Sequence, residues 1–187
     1  MATPLKSPSG LVLAGGRSAR FGSDKALALV DGRPMIRQVF ETLAGIAQPV
    51  FVSVGDAATT YDLPARHVAD RYPGCGPLGG IHAGLLASPA EWMLVVPCDM
   101  PDLDAASLKK LLKARTADGD AVVAVDPAGR PVPVVACYHR RALARIEARL
   151  AGPDLSLHGL LDLLDVVTVR LNERALRNIN TPADAGV

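Results

Sequence analysis

The sequence predicts a three-layer αβα domain, Rossmann-like, with a mainly parallel and partly mixed sheet. Three observations support this fold class. Short apolar runs typical of buried strands alternate with longer segments whose apolar residues recur at helical spacing. Two strand-like runs follow Asp120 without a helix between them, which indicates an antiparallel pair within the sheet. The 187 residues, 49% of them hydrophobic, suit one packed domain and are short for two.

The elements of the first half follow from these patterns. Residues 11–14 are an apolar run that enters a glycine loop, as expected for a buried strand. A helix is predicted to begin at Pro34, because proline is favoured in the first helical turn. Residues 49–54 and 67–69 are predicted strands. The apolar positions of the helix are Met35, Ile36, Val39, Phe40, Leu43 and Ile46.

The second half continues the alternation. Residues 78–87 predict a helix that its glycines weaken, and residues 92–96 are the clearest buried strand. A helix over 104–114 follows, with Asp104 as its N-cap. The remaining predicted elements are strands at 121–125 and 132–138, helices at 141–150 and 157–164, and a strand at 166–171.

Composition limits the domain organisation and the partners. We expect a flexible leader at residues 1–9 and a single domain over 10–187. The net charge of +1 gives no general case for nucleic acid or an anionic membrane. The three cysteines form no CxxC pair, and no signal-peptide core or run of about 20 apolar residues is present. We therefore expect a cytoplasmic protein without membrane segments, acting as a monomer.

Polar residues follow several predicted strands. Ligands of open α/β sheets bind outside the carboxyl ends of the strands, so these residues are candidates for a site. Each is also compatible with a simple turn. They are Gly15 and Gly16, Ser53, Asp70 and Asp99.

The loop over residues 13–25 is the strongest local signal. Its glycines, which include Gly15, Gly16 and Gly22, allow backbone N–H groups to approach phosphate oxygens closely. Its cations, Arg17, Arg20 and Lys25, supply the charge that a triphosphate requires. The alternative is a glycine turn with solvated basic residues. The loop has neither the G-K-[ST] ending of a Walker A motif nor a G-x-G-x-x-G opening a helix, which argues against P-loop ATPases and classical dehydrogenases.

Two carboxylates and two further segments complete the candidate site. Asp99 is predicted to hold Mg²⁺, which proteins bind through one or two carboxylates plus substrate phosphates; the alternative is a turn cap before Pro101. Asp70 has the alternative of pairing with Arg71. The glycine loop at 74–81 suits a base or a second substrate, or is a connector. Near the end, a helix start explains Thr181 to Asp184 but leaves two amides, Asn178 and Asn180, for a ligand.

Together these segments resemble a known family. The loop at 13–25 resembles the opening loop of GT-A-like nucleotidyltransferases. Four further segments are similar to those of the molybdenum cofactor guanylyltransferase (MobA) family: Asp24-Lys25, Gly76-Pro77-Leu78-Gly79-Gly80, Val96-Pro97-Cys98-Asp99-Met100-Pro101 and the closing Asn178-Ile-Asn-Thr-Pro182. The resemblance covers almost the whole chain. Phe21 stands where that family usually has Met, and Ser53 where an Asn can occur.

The resemblance implies an Mg²⁺-dependent transfer of GMP from GTP to molybdenum-molybdopterin, with release of pyrophosphate. It also implies transient contacts with molybdoenzymes or cofactor-delivery proteins. Nucleotide binding is implied for Leu13, Ala14, Gly15, Gly16, Lys25, Ser53, Asp70 and Asp99, and catalysis for Lys25, Arg20 and Asp99, of which Asp99 is the metal ligand. The second substrate is assigned to Gly22, Gly79, Gly80, Asn178 and Asn180.

Three alternatives remain open from the sequence. The first is the same chemistry with CTP, as in molybdopterin cytidylyltransferases. The second is another transfer from a nucleoside triphosphate to a phosphate acceptor. The third is a non-catalytic carrier of pterin or nucleotide, against which the presence of both Lys25 and Asp99 argues, because a binder needs no metal-bridged phosphate.

Overall fold

A seven-stranded sheet forms the centre of the protein in a computed structural model that describes residues 7–15, 24–55, 59–181 and 184. The strands are β1 (Ser9–Leu13), β4 (Val50–Ser53), β5 (Arg66–Val68), β6 (Trp92–Pro97), β7 (Ala121–Val125), β8 (Pro131–His139) and β9 (Val166–Arg170). A separate hairpin pairs β2 (Leu29–Val30) with β3 (Arg33–Pro34). The helices are α1 (Met35–Ala44), α2 (Gly76–Ala87), α3 (Ala105–Lys113), α4 (Leu143–Leu150) and α5 (Leu157–Leu161).

The sheet is parallel except around β8. Its order is β5-β4-β1-β6-β8-β7-β9, and β8 runs antiparallel to both of its neighbours. The reversal follows from the tight turn between β7 and β8, in which Asp126 accepts a hydrogen bond from the Arg130 backbone and Gly129 has φ of 84°. The mainly parallel, partly mixed sheet expected from the sequence is thereby confirmed.

Two apolar layers cover the two faces of the sheet. Along β1 the side chains alternate, so that Val12 packs into one layer while Leu11 and Leu13 pack into the other. The first layer is completed by α1 and α3, and the second by α2, α4 and α5. This is the predicted three-layer αβα architecture. Within the described part of the chain, no helix has the length and apolar character that crossing a membrane requires.

Local boundaries differ from the sequence predictions in a few places. β1 begins at Ser9, which was assigned to the leader, and the Gln48 backbone N–H donates to the Pro8 carbonyl. The helix predicted over 157–164 ends at Leu161. The β2–β3 hairpin was not predicted. Its turn is Asp31-Gly32, and both residues have positive φ, of 51° and 73°, which is the backbone that an Asp-Gly pair favours in two-residue hairpins.

Candidate active site

The register of neighbouring parallel strands brings the candidate loops together. Leu13 at the end of β1 pairs with Pro97 at the end of β6 and with Ser53 at the end of β4. The Leu13 carbonyl accepts a hydrogen bond from the Cys98 backbone N–H at 3.0 Å. The Asp99 loop therefore lies directly beside the glycine loop that follows β1. This agrees with the prediction that the polar residues after the carboxyl ends of the strands lie together.

Lys25, Asp99 and Asn180 meet at this rim. The Lys25 Nζ lies 2.7 Å from Asp99 Oδ2 and donates a second hydrogen bond, of 2.9 Å, to Asn180 Oδ1. The side chains of Lys25 and Asp99 are 17% and 20% exposed, so the ion pair is largely shielded while remaining reachable from solvent. An ammonium group is a charge-assisted donor to phosphate oxygens, so Lys25 lies where a phosphate bound at this rim could meet a positive charge.

The C-terminal segment is fastened to the Asp99 loop. The Ile179 backbone N–H donates to the Asp99 carbonyl at 2.9 Å, and the Ile179 side chain is buried. Just before it in the sequence, the Arg177 guanidinium donates from Nε to Asp102 at 2.6 Å. These contacts place Asn178 and Asn180 at the site, although they are far from Lys25 in the sequence.

A cavity of about 330 Å³ opens beside this cluster, a size typical of small ligand sites. Backbone of the first loop forms one wall, and the Asp99 loop forms the other. The lining residues are Leu13, Ala14, Gly15, Asp24, Lys25, Ala26, Pro77, Pro97, Cys98, Asp99, Met100, Val134 and Asn178.

Asp99 has the chemistry of a metal ligand. Its Oδ1 is buried and has no hydrogen-bond partner among the described residues. A buried carboxylate oxygen without a partner is costly unless a ligand satisfies it. No cluster of three or more His, Cys, Asp or Glu residues suited to a metal occurs in the described ranges. A single carboxylate plus substrate phosphates is the arrangement that Mg²⁺ commonly uses, so Asp99 fits this ion.

Asp70 and Ser53 form a second polar pair at the same edge of the sheet. The Ser53 hydroxyl donates to Asp70 Oδ1 at 3.2 Å, so the proposed pairing of Asp70 with Arg71 is not needed to place this carboxylate. Burial raises the pKa of the Asp70 carboxyl, while the Ser53 hydrogen bond and the nearby His82 act to lower it. Neither Ser53 nor Asp70 lines the 330 Å³ cavity, so this pair extends the site along β4 and β5.

Gly79 and Gly80 are buried in the first turns of α2. A Cβ on Gly79 would lie 3.2 Å from Asp70 Oδ2, and one on Gly80 would lie 2.5 Å from Ser53 Oγ. The two glycines therefore let the helix pack against the Ser53–Asp70 pair. Their assignment to the second substrate stays a prediction.

Some residues to which the sequence assigned a role lie outside the described part of the chain. Other contacts at the site were not indicated by the sequence. Gly16, Arg20 and Gly22 lie outside the described residues. Asp24 received no role of its own from the sequence, yet it lines the cavity, and its Oδ1 caps the short 3-10 turn Lys25–Leu27 by accepting from the Ala26 backbone. An Asp just before a turn is a sequence signal for such a cap. Tyr61, which donates to Asp24, carries no such signal.

The chain is similar to known proteins in both sequence and fold. Residues 10–169 match the family model described as the MobA-like NTP transferase domain. A probable molybdenum cofactor guanylyltransferase of Geobacillus sp. is 35% identical, over 93% of this chain and 94% of that protein. The molybdenum cofactor guanylyltransferase of Vibrio cholerae is 32% identical, over 94% and 88%. The crystal structure of molybdopterin-guanine dinucleotide biosynthesis protein A from Archaeoglobus fulgidus superposes with a TM-score of 0.80 at 25% identity and covers 95% of each chain.

Proposed function

Because the chain belongs to the MobA-like NTP transferase family and is a nucleotidyltransferase, we propose that it transfers GMP from GTP to the terminal phosphate of molybdenum-molybdopterin. The products are the guanine dinucleotide form of the cofactor and pyrophosphate. The choice of guanine and of the pterin acceptor rests on the relatives of 32–35% identity that carry this name.

The observation that carries the proposal is the cluster of Lys25, Asp99 and Asn180 beside the backbone of residues 13–15. Transfer of a nucleotidyl group develops negative charge on the α-phosphate and on the departing pyrophosphate. Lys25 supplies a positive charge at a fixed point, and the loop supplies backbone close to the phosphates. Preorganised charge of this kind is a large term in catalysis.

The reaction needs no enzyme nucleophile. An oxygen of the acceptor phosphate attacks the α-phosphorus of GTP and forms a new P–O bond, while the bond to the β-phosphate breaks and its electrons leave with pyrophosphate. A phosphate monoester has its second pKa near 6, so the attacking oxygen is already deprotonated at neutral pH. The work of the protein is therefore to align two phosphates and to balance their charge.

We propose Mg²⁺ as the divalent ion of this reaction and Asp99 as the residue that holds it. When bound, the ion neutralises charge on the triphosphate. The buried Oδ1 of Asp99, which has no hydrogen-bond partner within the described part of the chain, supports this assignment. The opposite oxygen of Asp99 orients Lys25, so this carboxylate would keep the ammonium group and the ion on the same phosphates.

We also propose a reducing, cytoplasmic location and a monomeric enzyme that meets its molybdoenzyme partners transiently. The location is supported by Cys75, Cys98 and Cys137, which are all free thiols.

The test of the proposed function is calorimetric binding of GTP, CTP and ATP in the presence of Mg²⁺, followed by a pyrophosphate-release assay with GTP and molybdenum-molybdopterin. We expect a clear preference for GTP and pyrophosphate release that requires both substrates. A preference for CTP would move the protein to cytidylyl transfer by the same mechanism. Binding without pyrophosphate release would contradict the catalytic proposal and favour a carrier.

A further inference from the structure

The short turn that carries Lys25 is contacted by a partly buried side chain from another part of the chain. The Tyr61 hydroxyl donates a hydrogen bond of 2.8 Å to Asp24 Oδ2. The other oxygen of the same carboxylate, Oδ1, accepts from the Ala26 backbone N–H at 3.0 Å. Asp24 therefore links the connection between β4 and β5 to the turn Lys25–Leu27. Lys25 lies between Asp24 and Ala26, the two residues that the cap hydrogen bond connects.

Tyr61 is itself held firmly. Its side chain is buried in the layer that α1 and α3 cover, and its ring stacks on His67. Its backbone N–H donates to His67 Nε2 at 3.0 Å. Burial, together with the hydrogen bond to the Asp24 carboxylate, raises the pKa of the Tyr61 hydroxyl. The hydroxyl therefore stays protonated and remains a donor to Asp24 throughout the pH range in which enzymes work.

The position of Lys25 depends on this arrangement. A lysine side chain has four rotatable bonds, and its ammonium group reaches one place only when the backbone beneath it is fixed and its partners are in place. The partners are Asp99 and Asn180, at 2.7 Å and 2.9 Å. The backbone is the turn that Asp24 caps, and the cap is oriented by a hydroxyl that lies on a different strand connection.

From this chain of contacts we propose that Tyr61 is a positioning residue for nucleotidyl transfer, acting on Lys25 through the carboxylate of Asp24. Tyr61 is not among the residues that line the cavity beside Lys25. Its hydroxyl fixes the rotamer of Asp24, which fixes the turn, which directs the ammonium group toward the phosphates. The inference rests on the proposed function, because it concerns the lysine that serves that reaction.

The experiment compares Tyr61→Phe with Tyr138→Phe. Both tyrosines are buried, and each donates one hydrogen bond of 2.8 Å, from Tyr138 to the Pro133 carbonyl. Tyr138 pairs with Met93 near the start of β6, away from the end of that strand where Asp99 lies. We expect Tyr61→Phe to lower kcat roughly tenfold or more, the scale of a small misplacement of a catalytic group, with a smaller change in KM for GTP. Tyr138→Phe should keep the kcat of the wild type.

A double substitution separates positioning from general loosening of the fold. In a Lys25→Ala background, Tyr61→Phe should change kcat by less than about twofold, because the group that it positions is gone. Equal kcat for Tyr61→Phe and the wild type, or the same fold-loss with and without Lys25, would overturn the positioning role. Failure of the proposed function is recognised separately, since the wild type would then release no pyrophosphate.

Discussion

At the scale of single residues, Lys25 brings one positive charge to the site. Its side chain is 17% exposed and lines the cavity beside Asp99. We predict that Lys25→Ala lowers kcat by about 10²-fold, the usual cost of removing one preorganised charge-stabilising contact. Steady-state pyrophosphate release measures the effect. The control is Lys109→Ala, which removes an exposed lysine on α3 and should retain wild-type kcat. An unchanged kcat for Lys25→Ala would show that Lys25 is a solvated loop residue.

Asp99 combines two roles in one carboxylate. One oxygen pairs with Lys25, while the other is buried and lacks a hydrogen-bond partner among the described residues. We predict that Asp99→Ala abolishes turnover and removes the increase in thermal stability that Mg²⁺ and GTP together give the wild type, since ligands stabilise the state they bind. Asp162→Ala, at an exposed carboxylate that follows α5, should keep that ligand-dependent increase. Full activity of Asp99→Ala at saturating Mg²⁺ would contradict the assigned role.

Asp70 provides a prediction about pH. Burial raises the pKa of its carboxyl in the folded state above the unfolded value, so folding is favoured when the group is protonated and loses this contribution as pH rises through the folded-state pKa. Asp70→Asn, which cannot ionise, should therefore raise the Tm relative to wild type at about pH 8 and raise it less at about pH 4, near the ordinary pKa. Thermal unfolding at both values tests this. An equal change in Tm at the two pH values would contradict this account of Asp70.

At the scale of elements, α2 is a packing helix whose glycines allow close approach to the sheet. A Cβ on Gly80 would meet Ser53 Oγ at 2.5 Å and Leu13 at 2.9 Å, at the site. A Cβ on Gly84 would meet Leu11 at 2.8 Å and Met93 at 2.9 Å, within the core. The same substitution at the two positions therefore forces side chains to move at the site in one case and within the core in the other.

We predict that Gly80→Ala and Gly84→Ala both lower the free energy of unfolding, by about 1–3 kcal/mol, because overpacking forces neighbouring groups to move. Only Gly80→Ala should also raise the KM for GTP, since it displaces the end of β1 and Ser53. Urea unfolding and steady-state kinetics measure the two effects. Equal KM values for the two variants would show that the start of α2 does not shape the nucleotide site.

The elements show why much of the fold was predictable. The buried strand at Trp92–Pro97 and the capped helix Ala105–Lys113 have patterns that are local in sequence, and both were found within a residue or so. Asp104 caps the helix by accepting from the Ser107 backbone, as predicted. The β2–β3 hairpin was missed because its strands are only two residues long and give no periodicity, although Asp31-Gly32 marks its turn.

The site was only partly predictable because its contacts join distant parts of the whole molecule. Lys25 and Asp99 are 74 residues apart, and Lys25 and Asn180 are 155 residues apart. The sequence patterns and the family resemblance named each of these residues as a candidate for the site. Neither indicated that the three side chains touch one another. Sequence also gave no sign of the contact between Tyr61 and Asp24, because a tyrosine in a loop carries no pattern of its own.

At the scale of the whole molecule, the C-terminal segment folds back from β9 to the start of α1. Ile179 is fully buried in a small cluster with Val30 and Met35, and its backbone is bonded to Asp99. We predict that Ile179→Ala lowers the free energy of unfolding by about 2–5 kcal/mol, the range for truncating a buried isoleucine. It should also lower kcat well below the wild-type value at temperatures where the protein remains folded, because Asn180 would no longer hold Lys25 in place.

The control is Ile146→Ala on α4. Ile146 is equally buried, but in the apolar layer that also contains Leu150 and Leu160, with no contact to the Lys25–Asp99 pair. The same truncation should cost a comparable free energy of unfolding and leave kcat unchanged. Ile179→Ala would then lower both the free energy of unfolding and kcat, whereas Ile146→Ala would lower the free energy of unfolding alone. A similar fall in kcat for the two variants would mean that activity follows global stability and that the C-terminal segment makes no specific contribution to the site.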